Sequence, residues 1–343
     1  MNKSVIFVFA AGFITSAVSL AAVGAGSLYK VVNSARVGGT GGFDYVLADS
    51  AARRLYIPRS DRVTVFDLDT LQPAGVIANA TNVHGAVVDP KSHHGFSSSK
   101  PVVMWDTRTL ATIKTIEVAG NPDGIMFDPY TERIIVLSHR APNATVIDAK
   151  DGSIVGTIDL GGAPEQGVSD GAGRLYIDIE DKDNVAVVDA KTLKVIANYP
   201  FDGKGGTPAG LAFDVKNHVL FACCRNPATC VVLNSDDGKI LATLPIGAGT
   251  DGAVFNPATM EAFSSQRDGT LTVIKENSPT SFEVRQNVQT KVGAKTLTLD
   301  DQTNKILLIA AETTPPPPQT DPTKKGGRGQ MVPDSFTILV VGR

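Results

Sequence analysis

The sequence predicts an all-β fold, a seven-bladed β-propeller with four antiparallel strands in each blade. Three observations carry this prediction. A hydrophobic segment closed by an acidic or amide residue recurs seven times, each repeat holds four short strand-like segments, and a strand at the N-terminus matches one missing from the last repeat. With 42% hydrophobic and 20% charged residues, the 343-residue chain has an ordinary globular composition, and a propeller holds this length in one domain.

The repeat is marked by the residue that closes each hydrophobic segment. Successive markers lie 39 to 44 residues apart, close to the length of one propeller blade. A second marker opens a turn 17 to 20 residues later in five of the repeats. The first markers are Asp49, Asp89, Asp128, Asp170, Asp214, Asn256 and Asp300. The second markers are Asp67, Asp106, Asp148, Asp189 and Asn234.

Each repeat contains four β-branched segments, which in the third repeat are residues 124–127, 133–137, 145–147 and 153–159. A four-stranded sheet cannot bury both of its faces alone. Radial stacking of neighbouring sheets buries them, and this arrangement is a propeller.

The two ends of the chain predict closure of the ring. The last repeat finishes with the strand at residues 335–341 and lacks room for another, whereas residues 29–37 precede the first repeat. We expect the N-terminal strand to pair into blade seven, which removes an exposed sheet edge.

The first 25 residues predict a signal peptide. Lys3 precedes an apolar run, and small residues up to Ala25 provide a cleavage site. Cleavage leaves a propeller domain of residues 26–343, expected to be a monomer without a membrane span in the periplasm or outside the cell. An uncleaved anchor is the alternative, because about twenty apolar residues span a bilayer.

One insertion interrupts the last repeat. Residues 313–333 contain four consecutive prolines, two lysines and a Gly-rich stretch, a composition that buries too little apolar surface to fold. We predict a disordered surface loop, and a polyproline segment that docks a partner is the alternative.

Three cysteines lie close together in the fifth repeat. Export to an oxidising compartment favours a disulfide, and Cys224 with Cys230 is the candidate pair, across a short turn. Burial of Cys223, Cys224 and Cys230 as small hydrophobic side chains is the other interpretation.

The repeats resemble the Tyr-Val-Thr-Asn repeat propellers, exported seven-bladed proteins that are similar to lactonase-type propellers. The resemblance is carried by residues 122–128, 174–177, 184–189 and 192–195, and the signature is best matched at residues 55–58 and 175–178. It covers the mature chain and implies the fold. It transfers no catalytic residue, because members of the family include ligand binders, protein binders and enzymes.

Candidate site residues follow from the register of the repeats. The position five residues before each marker lies where the innermost strand enters the channel, and six of these seven residues are ionisable. They are Asp44, His84, Asp123, Glu165, Asp251 and Lys295, with Ala209 in blade five. Loops after the second strands add Arg59, Arg62, His139, Arg140, Arg225 and Arg267 at the same mouth. An anionic centre inside a cationic rim is predicted, and arginines there can bind carboxylate or phosphate. Turn chemistry also explains part of this polarity.

We therefore predict an exported scaffold that binds a small molecule or a protein at its channel mouth, and the leading interpretation is not an enzyme. The alternative is a lactone hydrolase, in which the carboxylates hold a divalent cation and His84 or Glu165 acts as base. No other cofactor is predicted. Signature motifs of common hydrolases, phosphate loops and haem attachment are absent from the sequence. A net charge of -3 with 6% aromatic residues argues against nucleic-acid binding.

Overall fold

The computed structural model describes residue 1 and residues 27–315 and 329–343. In these residues the chain forms seven four-stranded antiparallel sheets and no helix. The sheets are arranged as the blades of a propeller, so the predicted fold class is confirmed.

The strands are numbered in chain order, four to a blade. Blade one holds β2 (Leu47–Asp49), β3 (Arg54–Pro58), β4 (Val63–Asp67) and β5 (Pro73–Ile77). Blade two holds β6 (Ala86–Asp89), β7 (His94–Ser97), β8 (Val102–Asp106) and β9 (Thr112–Ile116). Blade three holds β10 (Pro122–Asp128), β11 (Arg133–Ser138), β12 (Ala144–Asp148) and β13 (Ile154–Ile158). Blade four holds β14 (Pro164–Ser169), β15 (Arg174–Ile179), β16 (Asn184–Asp189) and β17 (Lys194–Pro200).

The remaining three blades follow the same order from the channel outward. Blade five holds β18 (Pro208–Asp214), β19 (Val219–Arg225), β20 (Ala228–Asn234) and β21 (Ile240–Pro245). Blade six holds β22 (Thr250–Asn256), β23 (Glu261–Gln266), β24 (Thr270–Ser278) and β25 (Ser281–Gln289). Blade seven holds β26 (Leu297–Asp300), β27 (Lys305–Ala310), β28 (Thr337–Gly342) and β1 (Lys30–Arg36).

The recurring acidic markers end strands because their side chains cap the turn that follows. Asp128 accepts hydrogen bonds from the backbone N–H and the hydroxyl of Thr131, at 3.0 and 2.5 Å. Asp189 accepts in the same way from Thr192, at 2.7 and 2.9 Å. This local chemistry repeats wherever the fold needs a turn, which is why the markers keep their spacing.

The core consists of layers between adjacent blades. Side chains of a strand point alternately to its two faces, so each sheet packs against both neighbours. Between blades three and four, for example, Ile135 and Leu137 pack with Ile177 and Val188, all of them buried. Burial of each such side chain contributes about 1.5–3 kcal/mol, and this stacking is the main source of stability of the ring.

The ring closes as predicted. Strand β1 pairs antiparallel with β28, with Lys30 opposite Gly342 and Arg36 opposite Thr337. The residue before β1 and the C-terminal residue also reach blade six, where the buried carboxylate of Glu261 accepts a hydrogen bond from the Tyr29 hydroxyl at 2.7 Å. Two hydrogen bonds from Arg343, at 2.6 and 2.8 Å, complete this contact.

Two predictions concern segments that the structure describes in part or not at all. The signal peptide lies outside the described residues except for Met1. In the insertion of residues 313–333, Thr313 forms an isolated bridge with Met331, and residues 316–328 lie outside the described residues. In the described part of the chain, no helix is long and apolar enough to cross a membrane.

The candidate disulfide between Cys224 and Cys230 is not formed. All three cysteines are free and buried. In the β19–β20 hairpin Cys230 lies opposite Cys223, and Cys224 lies opposite Thr229. Successive side chains of a strand point to opposite faces, so Cys224 faces away from Cys230 and packs toward the other neighbouring blade.

Candidate functional site

The entrance of the central channel holds a cavity of about 230 Å³ at the end where the innermost strands begin. All six ionisable residues predicted from the register line it, together with three predicted residues from the loops between the second and third strands. From the innermost strands and the loops before them come Asp44, His84, Asp123, Glu165, Asp251 and Lys295. From the second strands and the loops after them come His139, Arg225 and Arg267, and Asn121 adds an amide. We call this cavity the channel mouth.

Acidic and basic groups alternate around the channel mouth. His84 Nδ1 lies 2.9 Å from Asp44 Oδ2 and 3.0 Å from Asp123 Oδ1. The second oxygen of Asp123 lies 2.9 Å from His139 Nε2, and His139 is 3.8 Å from Glu165 Oε1. Each imidazole therefore lies between two carboxyl groups.

These contacts continue into a closed ring of alternating acidic and basic groups, which we call the circuit. Longer cationic side chains form its second half. Arg225 contacts Glu165 at 3.4 Å and donates to Asp251. Lys295 donates to Asp251 and, at 2.6 Å, to Asp44 Oδ1, which closes the circuit. Arg267 adds a hydrogen bond to Asp251 Oδ2 at 2.8 Å. The four carboxyl groups do not face one another unshielded, because cations separate them.

Three of the cationic groups, His84, His139 and Arg267, are the most accessible ionisable groups of the mouth. Side-chain exposure is 37% for His84, 35% for His139 and 44% for Arg267, but only 12% for Asp123 and 6% for Asp251. The carboxylates form an inner layer that holds the bases in place. A molecule that enters the mouth therefore first meets positively charged groups.

The contacts shift the pKa values of the inner groups. Burial alone would raise the pKa of Asp44, but the hydrogen bond from His84 and the charge of Lys295 lower it to about 2. The hydrogen bond to Asp123 raises the pKa of His139 to about 9, against the effect of burial. The bond to Asp44 raises the pKa of His84. Because the pKa of His139 lies above neutral pH, its imidazole is protonated and carries two N–H donors.

The pKa of Glu165 is raised, in contrast to that of Asp44. Burial raises its pKa to about 8; the positive charge of Arg225 opposes this rise, and the charges of Asp123 and Asp251 add to it. The hydroxyl of Tyr45 donates to Glu165 Oε2 at 2.9 Å. At neutral pH Glu165 is a protonated acid, so it does not cancel a cation of the mouth.

Two residues of this network were not among the predicted site residues. Glu180 accepts a hydrogen bond from Arg225 Nη1 at 2.6 Å. It directly follows the second strand of blade four, the position that His139 occupies in blade three, so the register could have identified it. Tyr45 crosses the channel from blade one to blade four, and only the assembled ring shows that contact.

The structure places three predicted arginines outside the cavity. Arg59 is 2% exposed, its guanidinium lies 3.4 Å above the ring of Phe336, and it donates to the carbonyl of Thr40 at 2.9 Å. Its role is to join blade one to blade seven. Arg140 is exposed beside His139 but does not line the mouth, and Arg62 pairs with Asp61 at 2.6 Å.

Two groups of side chains in the mouth have donor atoms suited to a divalent cation. In the described residues, Asp44, His84 and Asp123 form one group, and Asp123, His139 and Glu165 form the other. In each group the ligand atoms lie within 4.8 Å of one another, and Asp123 belongs to both. Nitrogen and oxygen ligands of this kind fit several divalent metals, provided that the imidazoles give up the protons they share with the carboxylates.

Comparison with known proteins leaves the family open. No protein-family model matches the chain, and no curated protein matches its sequence. The resemblance to the Tyr-Val-Thr-Asn repeat propellers stays a prediction.

Proposed function

We propose that this propeller is an exported binding protein, periplasmic or extracellular, that holds a small anion in its channel mouth. A propeller is an architecture that serves many binding and interaction proteins, so the fold fits this role without specifying it. The ligand class is inferred from the accessible groups of the mouth.

The observation that carries the proposal is the set of unused donors on the exposed cations. His84 uses Nδ1 and His139 uses Nε2 toward the carboxylates, and the other ring nitrogens have no partner among the described residues. Among the described residues, Arg267 uses only Nη2 of its side chain, so Nε and Nη1 stay available. Each of these free guanidinium donors can form a charge-assisted hydrogen bond to a carboxylate or phosphate oxygen.

The charge balance of the mouth supports the same ligand. Four cationic side chains, His139, Arg225, Arg267 and Lys295, face four carboxylates, Asp44, Asp123, Glu180 and Asp251, and the contact with Asp44 favours the charged form of a fifth base, His84. Glu165 is protonated at neutral pH and adds no negative charge. The balance inside this recess of about 230 Å³ therefore inclines to positive charge, which suits a small carboxylate or phosphate.

Calorimetric titration of the mature chain with malonate and with inorganic phosphate tests the proposal. We expect saturable binding of at least one of them at pH 7. Arg267→Gln should weaken it about tenfold or more, because a hydrogen bond to a charged group contributes about 1.5–3 kcal/mol. Arg108→Gln is the matched control, since Arg108 is exposed and lies outside the mouth. Absence of binding for both anions, or equal affinity of Arg267→Gln and wild type, would contradict the proposal.

The second candidate function is metal-assisted lactone hydrolysis, favoured by the two ligand groups that share Asp123. A divalent cation bound there would polarise the ester carbonyl. The chain would supply Asp44, His84 and Asp123, or Asp123, His139 and Glu165, as ligands. Hydrolysis of γ-butyrolactone should then require added metal, stop with a chelator and be lost in Asp123→Asn. No turnover with calcium, manganese or zinc would rule this candidate out.

A further inference from the structure

The opposite end of the channel contains a second cavity of about 450 Å³, which we call the far-end chamber. It lies where the innermost strands finish, and in every blade except blade two the residue before the strand-end marker contributes to its wall. Its lining includes Phe127, Gln166, Val168, Phe213, Phe255 and Leu299. The three phenylalanines and Leu299 are only half-buried, so apolar surface faces the open channel.

The far-end chamber differs from the channel mouth in its chemistry. Among the described residues that line it, none is ionisable. Its three polar side chains are already hydrogen-bonded. Ser169 donates to Asp128 at 2.6 Å, and the hydroxyl of Thr298 accepts from the N–H of Ala48 at 3.0 Å. Because no charged side chain lines the chamber and large apolar side chains form part of its wall, it favours an uncharged occupant with apolar surface.

Gln166 is the third polar side chain and lies between the two cavities. Its Nε2 donates to the carbonyl of Ala253 at 2.9 Å, and its Oε1 accepts from the N–H groups of Leu211 and Ala253, both at 3.0 Å. It thus joins blade four to blades five and six. The preceding residue, Glu165, lines the mouth, so adjacent residues of β14 serve two different sites.

The aromatic wall is held in a fixed shape by rings behind it. Phe213 makes an edge-to-face contact with Tyr176, at 5.2 Å between ring centres. Phe255 stacks on Phe221 at 5.7 Å. A preformed wall of this kind binds a flat aromatic molecule with little loss of side-chain freedom.

We propose that the far-end chamber is a second binding site, which takes a small uncharged aromatic molecule. Its volume lies within the range of about 300–1,000 Å³ usual for small-molecule pockets. Val215 at its rim is 46% exposed, so the chamber is reached from solvent without passing the mouth. The site is independent of the anion site, and either proposal can fail alone.

The test uses N-phenyl-1-naphthylamine, an uncharged probe that fluoresces when it enters an apolar site. The mature chain should bind one equivalent saturably. Ala48→Asp places a carboxylate in the chamber wall and should weaken binding about tenfold or more, because burial of a charge beside the probe is unfavourable. Ala197→Asp is the control, since Ala197 is a half-buried alanine in the outer strand β17.

A milder variant keeps the test valid if Ala48→Asp does not fold. Val168→Thr is nearly isosteric and adds one hydroxyl to the wall, so probe affinity should fall about threefold to tenfold. Reduced affinity in the chamber variants with unchanged affinity in Ala197→Asp supports the site. Absence of saturable probe binding to wild type overturns the proposal, and so does wild-type affinity in a folded chamber variant.

Discussion

The buried carboxylate of Glu261 ties the residue before β1 and the C-terminal residue to blade six, and its removal tests the closure of the ring. The carboxylate accepts one hydrogen bond from Tyr29 and two from Arg343, and Arg285 adds a contact at 3.2 Å. The ring of Tyr29 also lies 4.4 Å from the guanidinium of Arg343. Glu261→Ala leaves three donor side chains without their acceptor, which is itself fully buried.

The expected loss of stability follows from the burial of each partner. Removal of one partner of a buried ion pair costs about 3–5 kcal/mol. Arg285 and Arg343 keep 28% exposure, so water recovers part of the loss, and we expect the free energy of unfolding to fall by about 3 kcal/mol. Glu261→Gln keeps an acceptor for Tyr29 but no charge, so its loss should be smaller, about 1–2 kcal/mol.

Urea denaturation followed by fluorescence of the single tryptophan, Trp105, measures this loss. Trp105 is buried at the interface of blades one and two, so it reports unfolding away from the mutated site. Glu283→Ala is the control, because Glu283 is exposed on the neighbouring strand β25 and should change stability by less than about 0.5 kcal/mol. A Glu261→Ala protein as stable as this control would refute the role given to these contacts.

Three further perturbations have defined outcomes. Deletion of residues 29–37 removes the strand that pairs with β28 and exposes sheet edges, so the melting temperature should fall sharply, whereas an unchanged value would contradict strand closure. Asp251→Asn leaves the buried ammonium of Lys295 with one carboxylate fewer and should lower the urea midpoint; equal midpoints would mean that the circuit adds no stability. Burial raises the pKa of Glu276 from 4.5 to about 7 beside the carboxyl of Asp214, so its protonated form favours the fold. Stability from this group is complete below pH 4.5 and is lost as the pH rises through about 7, and Glu276→Gln should flatten that dependence in thermal melts.

Much of the fold was predictable because its signals are local. The Asp markers cap turns within a few residues of themselves, and their spacing therefore counts blades without any knowledge of packing. The register of the inner strands likewise predicted which six ionisable residues meet at the mouth. Contacts between blades could not be read in this way. The stacking of Arg59 on Phe336 joins residues 277 positions apart in the sequence. Which cysteine lies opposite Cys230 depends on the register of one hairpin.

The charge of the groups at the mouth could also be determined only from the structure. The sequence predicts four carboxyl groups near one another, which suggests repulsion. The side chains instead alternate with bases, and the burial of Glu165 raises its pKa to about 8 rather than leaving it ionised at neutral pH. The sign of the accessible charge depends on such differences in burial, which the residue types alone do not specify.

The most direct test of the account is the pH dependence of malonate binding, because malonate keeps its charge from pH 7 to pH 10 while the mouth does not. Above about pH 8 Glu165 gains a negative charge, and above about pH 9 His139 loses its positive one. The mouth thereby becomes more negative by two charges. Calorimetric titrations at pH 7 and pH 10 should show affinity falling at least tenfold, with the fall reduced in Glu165→Gln. Affinity that is constant or rises with pH would contradict an anion site built on His139 and Arg267.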